Sequence, residues 1–227
     1  MNDEALRPRV AIVDHGLGNL FSVKHACEHV GMQADITSDR QALLAADAVI
    51  LPGVGAFGDA METLHRLDLV TVLQDIAVSP KPLVGVCLGV QLLMTESYEF
   101  GHHKGLGIIE GPVVRFDHPK EDDHELKVPQ ICWNRIYRHA PWKGSLLDGV
   151  ADGEYVYFVH SYYVQPRNPD VVLSTTRYGH IDFCSSLRKG NVFACQFHPE
   201  RSGAQGLRMY RNLAAQIQCV AQGEKTA

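Results

Sequence analysis

The fold of this chain is decided by the stretch Pro82-Leu83-Val84-Gly85-Val86-Cys87-Leu88-Gly89-Val90-Gln91-Leu92-Leu93. An apolar run leads into a cysteine with a glycine two residues to either side, and a helix-forming segment follows at once. This order predicts a strand-to-helix elbow, in which the small neighbours allow a sharp turn and the central side chain stands out at the carboxyl edge of a sheet. The following helix directs unpaired N–H groups and partial positive charge at the same point. The stretch therefore predicts that Cys87 is presented as a nucleophile.

The same order of strand, glycine-containing loop and helix occurs twice before this elbow. Residues Arg9–Asp14 form a β-branched run, after which apolar residues recur at helical spacing from Leu20 to Val30. A second apolar run, Ala48–Leu51, precedes the loop Pro52–Gly58 and a helical stretch from Met61 through Leu67 and beyond. Strands that alternate with helices predict right-handed crossovers and a mainly parallel sheet that is covered on both faces.

The pattern changes after about Gly105, where short apolar runs follow one another without long helices between them. These runs predict antiparallel strands, at Val113–Phe116, Tyr155–Val159, Val171–Thr175 and a hairpin of Phe183–Leu187 with Val192–Gln196. The polar segment Asp117–Lys127 is interpreted as a solvated loop, and apolar positions from Leu207 to Val220 predict a carboxy-terminal helix. The predicted fold class is α/β, with a mainly parallel central sheet, helices on both faces and an antiparallel β extension.

Length and charge limit the possible classes of protein. With 227 residues, of which 45% are hydrophobic, the chain is expected to form a single domain over residues 1–227, with residues 1–8 as a flexible N-terminal extension. The net charge of -5 arises from 21 basic and 26 acidic residues without a basic block. Binding to nucleic acid or to a membrane surface is therefore not expected.

The six cysteines are scattered and contain no C-x-x-C pair, which argues against a zinc ribbon and a disulfide framework. Cys27, Cys184, Cys195 and Cys219 are interpreted as small apolar packing residues. The first nine residues do not resemble an apolar signal core, and no apolar run reaches membrane-spanning length. We therefore expect a cytoplasmic protein.

A base and an orienting group for the cysteine are available at His198-Pro199-Glu200, directly after a predicted strand. In extended backbone, residues two apart project to the same side, so Glu200 can hydrogen-bond one ring nitrogen of His198 while the other faces the thiol. Cys87, His198 and Glu200 then form a nucleophile, base and orienter set.

Backbone N–H groups that could hold developing negative charge come from two places. One is the N–H of Leu88, immediately after the nucleophile, and the other is the loop Gly53-Val54-Gly55, where we assign the role to Val54. Loss of one such donor typically slows acyl transfer by roughly 100-fold to 1,000-fold, so the conformation of this loop could set the activity. Gln91, one helical turn after Cys87, can contact a polar group of a substrate.

Taken together, these motifs resemble the class I (triad) glutamine amidotransferases, which have a flavodoxin-like fold, and the match covers nearly the whole chain. More narrowly, the chain is similar to the glutaminase subunits of imidazole glycerol phosphate synthases in histidine biosynthesis. The residues that carry the narrower resemblance are Asp14-His15-Gly16-Leu17-Gly18-Asn19-Leu20, Pro52-Gly53-Val54-Gly55-Ala56-Phe57, Trp133-Asn134, Phe158-Val159-His160-Ser161-Tyr162 and Gln196-Phe197-His198-Pro199-Glu200-Arg201-Ser202-Gly203.

The resemblance implies a glutaminase reaction through a cysteine thioester, with Cys87 as nucleophile, His198 as acid and base, and Glu200 behind it. It implies substrate contacts from Gly55, Gln91, His160, Ser161 and Tyr162, and neither a cofactor nor a metal. Low activity of the isolated chain is a hypothesis that follows from a mobile Gly53-Val54-Gly55 loop.

The resemblance also implies a partner, a (β/α)8 cyclase subunit that receives the ammonia and makes imidazole glycerol phosphate and the aminoimidazole carboxamide ribonucleotide by-product. The implied heterodimer would use Asn19, Trp133, Asn134 and Arg201 at its interface. Gln130 and Cys132 stand where this subfamily more often has histidine and glycine, which affects the expected details of the subunit contact.

Other interpretations are compatible with the sequence. The chain could be the glutaminase of another pathway, such as vitamin B6, anthranilate or surface-sugar synthesis, or an inactive scaffold that regulates a partner. His25, Glu28 and His29 also fit the inverted zinc-protease pattern H-x-x-E-H on a predicted helix. Short patterns of this kind arise easily by accident.

Overall fold

A computed structural model describes residues 7–16, 18–122 and 124–221 of the chain. The strands are β1 (Arg9–Val13), β2 (Gln33–Thr37), β3 (Ala48–Gly53), β4 (Leu83–Cys87), β5 (Met94–Ser97), β6 (His103–Lys104), β7 (Ile109–Arg115), β8 (Lys120–Glu121), β9 (His124–Glu125), β10 (Gln130–Arg138), β11 (Glu154–His160), β12 (Tyr162–Val164), β13 (Val172–Tyr178), β14 (Ile181–Lys189) and β15 (Val192–Cys195). The α-helices are α1 (Leu20–His29), α2 (Arg40–Ala45), α3 (Phe57–Arg66), α4 (Leu69–Ala77), α5 (Leu88–Leu92) and α6 (Gly203–Ala221). Two 3₁₀ turns lie at Pro169–Val171 and Pro199–Arg201.

The central part of the main sheet is parallel, in the spatial order β2-β1-β3-β4-β15. Beyond β15 the sheet continues through the antiparallel strands β14, β12 and β7. A branch from β14 adds β13, β10 and β11, also antiparallel. The predicted fold class is confirmed, and the antiparallel extension is larger than predicted because β10 forms a nine-residue strand that was not predicted from the sequence.

Side chains alternate between two apolar cores, one on each face of the parallel strands. On β1, Val10 and Ile12 enter the core beneath α1 and α6, whereas Ala11 and Val13 enter the core beneath α3 and α4. This alternation follows from the two-residue period of a strand. Helices therefore cover both faces, as a parallel sheet requires.

Several local predictions differ from the structure. Strand β2 and helix α2 were not predicted, and the long helical stretch after Met61 is divided into α3 and α4 at Asp68, which has a φ of 53°. The polar segment Asp117–Lys127, predicted as a loop, contains the small antiparallel pair of β8 and β9. Its strands are two residues each, too short to produce a periodic signal in the sequence.

Some expectations stay predictions. Residues 1–6 of the expected extension at residues 1–8 lie outside the described residues, and the single domain over residues 1–227 stays a prediction. Within the part of the chain that the structure describes, no helix combines the length and apolar character needed to cross a membrane.

The elbow at Cys87 is formed by close packing around its two glycines. Cys87 has φ 54° and ψ -111°, a backbone conformation that residues with a side chain rarely adopt. A methyl group on Gly89 would lie 1.8 Å from the carbonyl oxygen of Leu51, and one on Gly85 would lie 3.0 Å from the Cβ of Ala194. The first turn of α5 thus packs directly on β3, a contact that requires glycine at position 89, while β4 packs against β15 with little room for a side chain at Gly85.

Replacing Gly89 by alanine should therefore destabilise the fold by about 3 kcal/mol or more, because the new methyl group overlaps backbone atoms of β3. Gly190→Ala is the matched control. Gly190 has φ +59° with no atom near its added methyl, so its cost should be only about 1 kcal/mol of left-handed strain. Chemical denaturation of both variants checks this, and equal losses of unfolding free energy would contradict the packing argument.

Candidate active site

The pairing of two neighbouring parallel strands brings together Cys87, the predicted nucleophile, and His198, the predicted base. In β4 and β15, Val86 lies opposite Cys195, so the chain after β15 continues past the elbow. The structure brings His198 and Glu200 together with Nδ1 of the ring 2.7 Å from Oε1 of the carboxylate, and both side chains are almost completely buried. The expected reason for this contact was wrong in one respect, since Glu200 lies in the 3₁₀ turn Pro199–Arg201 rather than in extended backbone.

The sulfur of Cys87 has two further polar neighbours. Sγ lies 3.8 Å from Nε2 of Gln196 and 3.8 Å from the carbonyl oxygen of Val159. The amide of Gln91 fixes the orientation of Gln196, because its Nε2 donates both to Oε1 of Gln196 at 3.1 Å and to the carbonyl of Tyr162 at 3.0 Å. Gln196 therefore directs its N–H group, not its oxygen, at the sulfur.

Gln196 was not among the predicted site residues, although it stands in one of the motifs. It is fully buried and lies two residues before His198 on the same side of the chain. Its place directly after an apolar strand was the available signal in the sequence, since an amide that is buried there needs hydrogen-bond partners.

The electrostatic surroundings of His198 favour a protonated ring. Burial disfavours the charged ring and is the largest effect, but the charge of Cys87 and the hydrogen bond and charge of Glu200 act together in the opposite direction and raise the pKa of His198 to about 10. Nε2 of His198 is buried and makes no aligned hydrogen bond with any described residue. We therefore attribute the effect of Cys87 to its charge rather than to a formed hydrogen bond.

A cavity of about 250 Å³ opens beside Cys87 and is the candidate substrate site. All the predicted oxyanion and substrate residues line it. Its walls are Val54, Gly55, Cys87, Leu88, Gln91, Glu99, Pro129, Val159, His160, Ser161 and Tyr162. A larger cavity of about 990 Å³ lies at the amino ends of β4 and β15, and none of the predicted residues line it. The smaller cavity is the one that Cys87, the predicted nucleophile, lines, so it is the candidate site of the chemistry.

His160 is a neutral member of this cavity wall. Burial lowers its pKa to about 4, against the effect of the Tyr162 carbonyl, which lies 2.8 Å from Nδ1. The Nδ1 atom therefore carries the proton and donates it to that carbonyl. His160 is suited to shaping the pocket and not to holding positive charge.

Glu99 is a cavity residue that was not predicted from the sequence. Burial raises the pKa of its carboxyl, although the backbone N–H of Phe57 donates to it and opposes that effect. Glu99 lies in the connection between β5 and β6, about twelve positions beyond the elbow, and no motif marks it. Its carboxyl is the one acidic side chain among the described residues that line this cavity.

Of the four predicted interface residues, Trp133 and Asn134 lie on opposite faces of β10. Trp133 is 51% exposed and packs edge-on against Tyr157, whose ring lies 4.7 Å beneath the guanidinium of exposed Arg201. Asn134 points to the opposite face, where its amide donates to the carbonyl of Arg177. Asn19 is exposed at the start of α1.

The two unusual residues of β10 also lie away from the Trp133 face. Gln130 is fully buried opposite His160, and Cys132 is half-buried opposite Phe158. Their side chains contact each other, with Nε2 of Gln130 3.6 Å from the sulfur. Their effect on a partner would therefore pass through the core of the extension and not through direct contact.

The other thiols and the zinc motif differ from the elbow site. Burial raises the pKa of Cys27 and of Cys184 to about 12, whereas Cys219 is half-buried rather than a core residue.

In the predicted zinc motif, His25 and Glu28 form a loose exposed contact of 3.5 Å. Among the residues that the structure describes, no group of three or more His, Cys, Asp or Glu side chains is placed to hold a metal ion.

Comparisons with known proteins agree with this geometry. The family described as glutamine amidotransferase class-I matches residues 11–217. The imidazole glycerol phosphate synthase subunit HisH of Rhodopirellula baltica is 45% identical over 205 residues, which cover 90% of this chain and 96% of that protein. The HisH subunit of Syntrophotalea carbinolica is 47% identical over 204 residues, covering 89% of this chain and 98% of that protein.

A solved structure of lower identity shares the fold. PurLQS from Thermotoga maritima gives a TM-score of 0.70 at 18% identity, covering 95% of this chain and 100% of that one. This likeness supports the α/β architecture with its antiparallel extension.

Replacing Glu200 by glutamine should lower the pKa of His198, because the carboxylate charge that stabilises the imidazolium is removed. In the folded wild type this pKa lies above the unfolded value of about 6.5. The ion pair therefore stabilises the fold below that pH, and its contribution is lost as pH rises toward about 10. In the variant the loss should occur at lower pH.

Nuclear magnetic resonance titration of the His198 ring measures this directly. Glu125→Gln is the matched control, because Glu125 contacts the exposed ring of His118 at 2.7 Å and lies outside the site. An unchanged His198 midpoint in Glu200→Gln would show that the carboxylate does not govern the ring.

Proposed function

The chain belongs to the class I glutamine amidotransferase family, and we propose that it is the glutaminase subunit of an imidazole glycerol phosphate synthase in histidine biosynthesis. It hydrolyses glutamine to glutamate and ammonia, and a cyclase subunit uses the ammonia. The observation that carries this proposal is the buried His198–Glu200 pair next to the strained Cys87, beside a cavity that the predicted oxyanion and substrate residues line. The similarity to HisH proteins along nearly their whole length supports the pathway.

The first half of the reaction forms a thioester. The Cys87 sulfur attacks the side-chain amide carbon of glutamine, and the N–H groups of Leu88 and Val54 hold the negative oxygen that develops. The C–N bond then breaks as the His198 imidazolium gives its proton to the departing amide nitrogen, which leaves as ammonia. The raised pKa of His198 supports this step, because the ring is protonated before the attack.

The second half of the reaction releases glutamate. The now neutral His198 takes a proton from water as the water oxygen adds to the thioester carbon. The C–S bond breaks, and the Cys87 sulfur leaves with the bonding electrons while the proton taken from water stays on His198, which restores the starting pair. Glu200 holds Nδ1 of the ring throughout, so Nε2 stays directed at the reacting atoms.

Recognition of glutamine uses the remaining walls of the cavity. Glu99 provides a carboxylate for the α-ammonium group of glutamine. This charge pairing would lower the pKa of Glu99 and so oppose the effect of burial, which raises it. Gly55, Gln91, His160, Ser161 and Tyr162 complete the substrate contacts. Gln91 acts mainly through Gln196 and Tyr162, since its amide already donates to both.

The exposed face of β10 and β11 is the proposed contact for the cyclase. Trp133 is flanked there by exposed Ile131, Tyr137 and Tyr155, and Arg201 extends the same patch. Exposed aromatic residues next to an arginine are typical of protein interfaces. Asn19 belongs to the same proposal, whereas Asn134 would act by holding β10 to Arg177. The cytoplasmic location of the complex stays a prediction.

The alternatives have less support. The fold alone does not distinguish this pathway from vitamin B6, anthranilate or surface-sugar synthesis, but relatives that are 43% to 47% identical carry the HisH name. An inactive scaffold would not need the strained elbow or the charged pair. The described residues offer the zinc hypothesis no ligand cluster at His25, Glu28 and His29.

Cys87→Ala should abolish synthesis that depends on glutamine and leave synthesis from added ammonium intact, because the two chemistries belong to different subunits. The assay combines the chain with the cyclase and its acceptor, and follows glutamate release and product formation. Wild-type chain without the cyclase gives the basal rate. Cys219→Ala, a change of a half-buried thiol outside the cavity, is the control. Loss of both syntheses in Cys87→Ala would reject this division of labour.

Glu99→Gln should raise KM for glutamine by roughly 10-fold to 100-fold, the value of one hydrogen bond to a charged group. The turnover number should change less, because Glu99 does not touch the reacting amide. Glu96→Gln is the matched control in the same hairpin, where Glu96 contacts His102 at 2.9 Å instead of lining the cavity. Equal KM values for both variants would remove Glu99 from substrate recognition.

A further inference from the structure

His15 is a buried histidine that the reaction described above does not use. It follows β1 closely, and 1% of its surface is exposed. Its Nε2 atom lies 2.7 Å from the carbonyl oxygen of Pro52, on the neighbouring strand β3. Because a carbonyl can only accept, Nε2 carries the hydrogen. The contact thus fixes Nε2 as a donor, whose hydrogen points at the Pro52 carbonyl.

The carbonyl that His15 holds begins the proposed oxyanion loop. The next residue, Gly53, lies between the ring of His15 and the side chain of Leu88. A methyl group on Gly53 would lie 3.1 Å from Nε2 of His15 and 3.1 Å from Cβ of Leu88. Gly53 also pairs with Cys87 in the sheet register. The inner half of the loop is therefore held on three sides, by the ring, the elbow and the sheet.

The outer half of the loop has no such support. Val54 is 40% exposed, and Gly55 has φ +105°, a conformation that favours glycine. The peptide that carries the Val54 N–H is the first one beyond the carbonyl that His15 anchors. The orientation of this peptide is therefore set relative to the fixed Pro52–Gly53 peptide that precedes it.

We propose that His15 is a positioning residue for the oxyanion site, whose Nε2–H fixes the Pro52 carbonyl and so places the Val54 N–H where the negative oxygen develops. The inference rests on the proposed glutaminase function. It adds a residue that touches neither substrate nor sulfur and acts through the backbone of β3. The buried Nδ1 atom, which has no hydrogen-bond partner among the described residues, leaves Nε2 as the one nitrogen engaged.

If His15 served only to fill space in the core, its substitutions would affect activity differently. A purely structural ring could be replaced by leucine, which fills similar space, at the cost of stability but without a specific effect on turnover. A positioning donor requires an N–H at the position of Nε2. Glutamine places its amide N–H at the ε position, whereas leucine provides no donor.

The experiment compares His15→Leu and His15→Gln with the wild type in the complete complex with the cyclase and its acceptor. His15→Leu should lower kcat for glutamine hydrolysis by about 100-fold, the typical effect of a small displacement of a catalytic group, with little change in KM. His15→Gln should recover most of that loss. Synthesis from added ammonium should be unchanged in both, since the cyclase is untouched.

The outcomes separate the inference from the function on which it rests. If the wild type hydrolyses glutamine and His15→Leu is fully active as well, the inference about His15 is overturned while the proposed function stands. A loss confined to KM, or a folded His15→Gln that is as slow as His15→Leu, overturns it as well. Wild type without any glutaminase turnover in the complex overturns the proposed function and this inference with it.

Folding is controlled by the melting temperature and by binding to the cyclase. If His15→Leu does not fold, His15→Asn takes its place, because its amide ends one bond short of the Nε2 position. A slow His15→Asn beside an active His15→Gln supports the inference, and equal activities overturn it. Nitrogen-detected resonance of the wild-type ring should show Nε2 as the protonated atom; protonation of Nδ1 alone would overturn the assignment.

Discussion

The site depends on one backbone constraint, the positive φ of Cys87 at the end of β4. A residue with a side chain keeps such a conformation only when its surroundings hold it there. Gly89 supplies that hold, because the absence of a side chain lets the first turn of α5 rest on the Leu51 carbonyl of β3. The sulfur is thereby placed at the carboxyl edge of the sheet, where the chain after β15 and the loop after β3 also end.

Parallel pairing then determines which side chains reach the sulfur. Since β15 lies next to β4 with Cys195 opposite Val86, the strand register fixes which residues after β15 lie beside the elbow. Gln196 and His198 both approach the sulfur, one with an amide N–H and one with an imidazole. Glu200 completes the set from a 3₁₀ turn. The charge balance of the site is therefore a result of strand register and not of local sequence alone.

The sequence predicted those parts that leave a local signature. The elbow at Cys87, the alternation of strands and helices, and the nearness of His198 to Glu200 follow from short spacings. The roles of Glu99 and His15 could not be predicted, because they arise from contacts with residues about forty positions away in the chain, Phe57 and Pro52. Strand β10 was not predicted because its outer face carries exposed aromatic residues, so apolar and polar residues do not alternate clearly along it.

The two sources of backbone N–H groups differ in how firmly they are held, and this difference bears on control of the reaction. Leu88 follows the strained elbow and is buried, so its N–H is fixed whenever the fold is formed. Val54 follows an anchored carbonyl but is itself exposed, with a flexible glycine behind it. Transition-state stabilisation requires donors that are already in place. An enzyme with one fixed and one movable donor can therefore keep its nucleophile ready while its turnover depends on a single peptide.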